Sequence, residues 1–171
     1  VADIDESRLA RADRWILDRL NVAIAECDSA LGPARPTGNT WKPNELRAGL
    51  RLNEYAETAR RFVWNELADW YLESVKSRVG TDGDDRDVAR AVLVHVFDSA
   101  LRLLHPVIPF ITEALWQRLP QRAAMDSDLL CTAAWPTATS APSGADEFAR
   151  VRECVDALRA MRAEYSVTPG K

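Results

Sequence analysis

The chain has 171 residues, 47% of them hydrophobic and 28% charged, which suits one domain with a real core and excludes the large catalytic folds. Its 22 basic and 26 acidic side chains leave a net charge of −4, so the signature of a general nucleic-acid binder is missing and any RNA contact has to come from a local patch. No run of about 18 apolar residues and no basic-then-apolar leader is present, which predicts a cytoplasmic protein without a membrane segment.

Proline and glycine divide the chain into five helical pieces. The first runs from about Asp3 to Leu31, with Leu9, Ala12, Ile16, Leu20, Ala23, Ile24, Cys27 and Leu31 on one face, and Gly32 stands where a left-handed cap is expected. The stretch from Pro33 to Pro43 reads as a surface loop. From Asn44 no proline occurs before Pro106, and the pattern Leu52, Tyr55, Ala56, Ala59, Phe62, Val63, Leu67, Trp70, Tyr71 and Val75 predicts a long second helix.

A turn at Gly80 to Asp85 precedes a third helix, capped by Asp84 or Asp85, that carries Val88, Val92, His95, Val96, Leu103 and Leu104. Pro109 opens a fourth helix ending before Pro120, because proline at the first helical turn forfeits no hydrogen bond. The segment 121–143 reads as irregular, with a brief extended stretch at Leu129 to Thr132. Gly144 and Asp146 open a fifth helix with Phe148, Val151, Val155, Leu158 and Met161 in register. The fold class is therefore all-α, an antiparallel helix bundle over residues 1–143 followed by a connecting helix over 144–171. One core is expected to gather Phe62, Leu67, Trp70, Val96, Leu103 and Trp116.

Catalytic chemistry is hard to find. His95 and His105 lie ten apart, which does not fit a helical metal site; His95 reads as a core residue and His105 as part of a helix end. The acidic run Asp82, Asp84, Asp85 and Asp87 places Arg86 at a ligand position of a calcium loop and reads as a solvated turn. Cys27, Cys131 and Cys154 are too widely spaced for a metal site or a disulfide framework, and no phosphate loop or nucleophile elbow occurs. Binding is left, through exposed aromatics and local positive charge. The front of the second helix offers Arg47, Arg51, Arg60 and Arg61 beside Trp64 and Asn65, residue types that stack on and hydrogen-bond unpaired bases. Lys76 and Arg78 further along are suited to phosphate. Arg150, Arg152, Arg159 and Arg162 form a second basic strip on the last helix.

Several phrases are more specific than generic helices: Asp13-Arg14-Trp15-Ile16-Leu17, Trp64-Asn65-Glu66 followed by Asp69-Trp70-Tyr71-Leu72-Glu73, Leu104-His105-Pro106 with Pro109-Phe110-Ile111-Thr112-Glu113, and Arg162-Ala163-Glu164-Tyr165. Together they resemble the anticodon-binding helical bundle of the class I aminoacyl-tRNA synthetases, and within that family they are most similar to the valyl branch. The resemblance implies recognition of the anticodon loop of a valine tRNA. Valine codons begin with GU, so the letters to be read are A and C. The class I signatures HIGH and KMSKS are absent, which implies a catalytic domain elsewhere in the same polypeptide that uses ATP and magnesium, and no cofactor in this portion. The stretch 33–50 is longer than the family's usual connection. The alternatives are the same module from an isoleucyl or leucyl enzyme, or a protein-interaction bundle without an RNA role.

Overall fold

The computed structural model describes residues 6–32, 50–80, 82–120, 127–140 and 142–166. After a single 3₁₀ turn at Glu6–Arg8, α1 spans Arg11–Leu31 and buries Trp15, Ile16, Leu17, Leu20, Ala23, Ile24, Cys27 and Ala30 along one face. Its first turn is tied by Asp13, whose carboxylate accepts the backbone N–H of Ala10 at 3.0 Å. Gly32 closes it at φ 78°, a conformation that glycine adopts without steric cost, and donates its N–H to the carbonyl of Asp28.

The long second rod is α2 (Leu52–Arg61), a π-helical stretch from Phe62 to Leu72, and α3 (Glu73–Val79), running without a break. From Phe62 onward its buried apolar side chains, Phe62, Leu67, Tyr71 and Val75, recur at intervals of five, four and four, with buried Glu66 beside Leu67. A winding wider than 3.6 residues per turn keeps such a stripe facing one way, whereas an α-helix would rotate it out of the core. The next helix, α4 (Asp84–Leu104), starts after Gly83 at φ 134°. No aspartate side chain caps it, in contrast to the expectation for Asp84 or Asp85, although Asp84, Asp85 and Asp87 in its first turn complement the helix dipole.

Directions follow from contacts between ends. Arg51 donates its N–H to the carbonyl of Ala30 at 2.7 Å, while Asp13 at the opposite end of α1 meets Tyr71 and Arg78. The hydroxyl of Tyr55, near the start of α2, donates to the carbonyl of Leu103 at the end of α4. The second rod is thus antiparallel to both α1 and α4, and the core lies among the three. Among the described residues there is no strand; Leu130–Thr132, expected to be extended, forms a 3₁₀ turn.

The core is divided. Phe62, Leu67, Val96 and Leu103 meet in the main cluster, as predicted, and Trp70 packs at its edge, half-buried. Trp116 does not join them. On α5 (Pro109–Trp116) it forms a second cluster with Leu101 and Leu130 and donates its indole N–H to Asp98 at 2.6 Å. The proline-rich corner after Leu104 explains the separation, since it turns α5 away from the main core. The following coil straps back: Trp135 packs against Tyr55 and donates to Asp28 at 2.6 Å, and the N–H of Thr139 reaches Asn21 at 2.9 Å. Finally α6 (Asp146–Glu164) leans on α1 without burying any residue fully.

Candidate nucleic-acid interface

The outer face of the second rod follows from what its inner face buries. Tyr55, Thr58 and Ala59 turn into the bundle, so Arg60 points out, and four residues on Trp64 is 63% exposed beside exposed Asn65. Its neighbour Phe62 is fully buried. An indole left largely in water beside such a buried ring has no packing explanation and offers a flat apolar face for stacking.

The two adjacent arginines diverge, as a separation of about 100° per residue requires. Arg60 lies along its own helix with a forked contact to Glu57, Nε to Oε2 at 2.9 Å and Nη2 to Oε1 at 2.6 Å. This pair holds the Glu57 carboxyl below its ordinary range and raises the Arg60 guanidinium. Arg61 instead crosses to α1 and pairs with Glu26. With Arg51 it lines an open groove of ≈ 540 Å³ between α1 and α2, together with Glu26, Glu54, Glu57, Ser29, Asn53 and Thr58. Arg51 is held there by Ser29 at 2.9 Å and by Glu54 at 3.1 Å. The groove thus presents both donors and carboxylate acceptors, the groups that hydrogen-bond base edges. Glu26, Ser29 and Thr58 were missed by sequence reasoning, because α1 and α2 supply them from positions more than twenty apart; the polar edge of α1 beside Cys27 was the available signal.

Lys76 and Arg78 are not equivalent. Lys76 is exposed on α3 and, among the described residues, bound only to neighbouring Glu73 at 3.2 Å. Arg78 retains just 16% of its side-chain exposure and is clamped between Asp13 at 2.9 Å and Asp85 at 2.7 Å. Asp13 is wholly buried and also accepts the Tyr71 hydroxyl at 2.9 Å. These contacts raise the Arg78 guanidinium, Asp85 foremost, and lower the Asp85 carboxyl, while burial pushes the Tyr71 phenol up. The arginine braces α3 against α1 and α4 and is unsuited to the phosphate contact expected of it.

The second basic strip is also engaged. Arg152 lies over the rings of Trp15 and Trp70, at 5.6 and 5.8 Å, and Arg159 lies 4.9 Å over Trp70, so both hold α6 to the bundle. Phe148 adds ring contacts to the same two tryptophans. Arg47 lies outside the described residues. His105 accompanies the end of α4 as expected, its Nδ1 2.8 Å from the Thr112 hydroxyl, and half-buried His95 is lowered by desolvation. Burial pushes the Cys27 thiol up to about 12, which makes it a packing residue and not a nucleophile. No group of three or more His, Cys, Asp or Glu suited to a metal ion occurs among the described residues.

The site therefore combines an exposed tryptophan and asparagine, an outward arginine and a polar groove. Comparison with known proteins is consistent with that pattern, because residues 44–171 match the family described as the anticodon-binding domain of tRNA ligase. The chain belongs to this family. Valine–tRNA ligases are similar over almost all of it: that of Petrotoga mobilis is 38% identical over 161 residues, 91% of this chain and 16% of the relative. The one from Nocardia farcinica is 37% identical over 166 residues, and that from Geobacter sulfurreducens 38% over 167, in each case 95% of this chain. The chain spans about a sixth of the length of these relatives. For an anticodon-binding domain, the distinction between arginines spent on the fold and arginines facing outward decides which side faces RNA. No helix among the described residues is long and apolar enough to cross a membrane.

Proposed function

We propose that this anticodon-binding domain reads the anticodon loop of a valine tRNA and positions it for a catalytic domain elsewhere in the same polypeptide. ATP and magnesium belong to that domain, no residue of this chain is assigned to them, and the setting is the cytoplasm. The reading is supported most by Trp64, a largely exposed indole beside Asn65 and one turn beyond Arg60, on an acidic chain whose family binds anticodons. Trp64 stacks an unpaired base, Asn65 and the Arg51 and Arg61 groove meet base edges, and Arg60 and Lys76 take phosphate. Among the described residues Arg60 and Lys76 are held only by exposed pairs within their own helices, and such pairs exchange readily for a phosphate partner. Arg78 would have to abandon a buried carboxylate and is not included. Residues 144–171 serve as the connection toward the rest of the polypeptide, consistent with the light seating of α6.

The test is binding of transcripts that differ only in the anticodon, by the intact polypeptide, at several salt concentrations. Trp64→Ala should weaken the cognate transcript by about 1 to 3 kcal/mol, the usual worth of one base stacked on an aromatic ring. Arg60→Ala should weaken all transcripts alike and reduce the log–log salt slope by about 1. Unchanged affinity and slope in both variants would place the RNA on another face. A preference for isoleucine or leucine transcripts would assign the module to a sibling enzyme.

A further inference from the structure

The corner between α4 and α5 carries an apolar surface that RNA recognition does not use. Between Arg102 and Glu113 no Asp, Glu, Lys or Arg occurs. Within this stretch Phe110 is 91% exposed, and Val107, Ile108 and Ile111 are exposed beside it, with Leu115 one turn on. Together they offer several hundred Å² of aliphatic and aromatic side chain, the size at which a patch on a folded domain marks an interaction surface. The ledge is also rigid. Pro106 and Pro109 restrict the backbone, buried Thr112 donates its hydroxyl to the carbonyls of Ile108 and Pro109 at 2.9 and 3.1 Å, and its oxygen meets His105. Beneath it α5 is anchored by Trp116 and Asp98, and Glu113 is turned to the N–H of Leu130 at 2.9 Å. A fixed, uncharged surface suits apolar protein and offers phosphate nothing.

We propose that this ledge is the seat of another domain of the same polypeptide, which presents an uncharged aliphatic surface to Phe110. Two observations favour that occupant over a second copy of the chain. The valine–tRNA ligases similar to this chain have about five times its length outside the matched region, which is ample folded protein to seat on such a ledge. The ledge is also smaller than the roughly 800 Å² per partner of a stable dimer, yet adequate between domains already linked covalently, whose effective concentration is high. The inference rests on family membership and not on the RNA reading above.

Hydroxyl-radical footprinting with mass spectrometry tests it, on the intact polypeptide and on this 171-residue chain, both without tRNA and with Trp64 as an internal reference. The expected result is several-fold slower oxidation of Phe110 in the intact polypeptide, with Trp64 equal in the two. Phe110→Asp should split the thermal unfolding of the intact polypeptide into two transitions while leaving the melting temperature of the 171-residue chain unchanged. Equal oxidation in both proteins overturns the proposal. So does protection that accompanies a dimer in sedimentation, which assigns the ledge to a second copy, or protection that arises only when tRNA is added.

Discussion

Replacing Asp13 with alanine probes the most heavily committed polar group in the bundle. Its carboxylate is wholly buried and receives the Tyr71 hydroxyl, an Arg78 N–H and the backbone N–H of Ala10. Removing it strands a phenol in the core, unpairs one side of a mostly buried guanidinium and opens the first turn of α1. Breaking a buried pair from one side costs about 3 to 5 kcal/mol, and here Asp85 still holds Arg78, which selects the lower end of that range. About 3 kcal/mol is more than a hundredfold in the folded-to-unfolded ratio and, for a chain of this size, a melting temperature lower by roughly 6 to 12 °C. Tyr71→Phe deletes one donor and leaves the carboxylate two others, so it should cost only about 1 kcal/mol. Urea unfolding followed by tryptophan fluorescence at neutral pH measures both. A loss below about 1 kcal/mol for Asp13→Ala, or equal losses in the two variants, would refute the assignment of this network as the joint between α1 and the second rod.

Trp116→Ala should cost about 3 to 5 kcal/mol, because it empties the second cluster and strips Asp98 of its indole donor. Since that cluster is separate from the main core, amide exchange should quicken chiefly in α5, and uniform quickening through α1 would contradict the division. The pH dependence can be assigned to one histidine. Burial lowers the folded pKa of His95, so the unfolded chain takes up the extra proton first; stability is complete above about 6.5 and declines as the pH falls from there toward the folded value. His95→Gln should flatten denaturant midpoints between pH 7 and 5, and a profile identical to that of the parent would show that another group titrates there.

Much of the fold was legible because its rules are local. Gly32, Pro109 and the apolar stripe of α1 each act within a few residues, and each lies where periodicity and backbone preference place it. The π-helical stretch was not, because Phe62, Val63, Leu67, Trp70 and Tyr71 satisfy an α-helical pattern well enough, and only knowing which of them are buried exposes the wider spacing. The Trp116 error has a similar origin. Its stripe correctly identifies a buried tryptophan, but whether two stripes meet depends on the angle at a proline corner several residues away.

The site was legible in composition and not in allegiance. Every arginine in the predicted patch could be found from the sequence, yet its use depends on where carboxylates from other helices arrive. Arg78 and Lys76 are two residues apart and look interchangeable as phosphate ligands, but Asp13 comes 65 residues earlier in the chain to claim Arg78, while Lys76 pairs with Glu73 of its own helix. Arg152 and Arg159 pair with Asp156 on their own helix, but they also lie over tryptophans of α1 and the second rod, and those contacts from other elements are what remove them. On an acidic chain most arginines will be spent in this way, and the side chains left to a ligand are those whose nearest partner is cheap to leave. That criterion selects Arg60 and Lys76 and, because its indole is 63% exposed, sets Trp64 beside them.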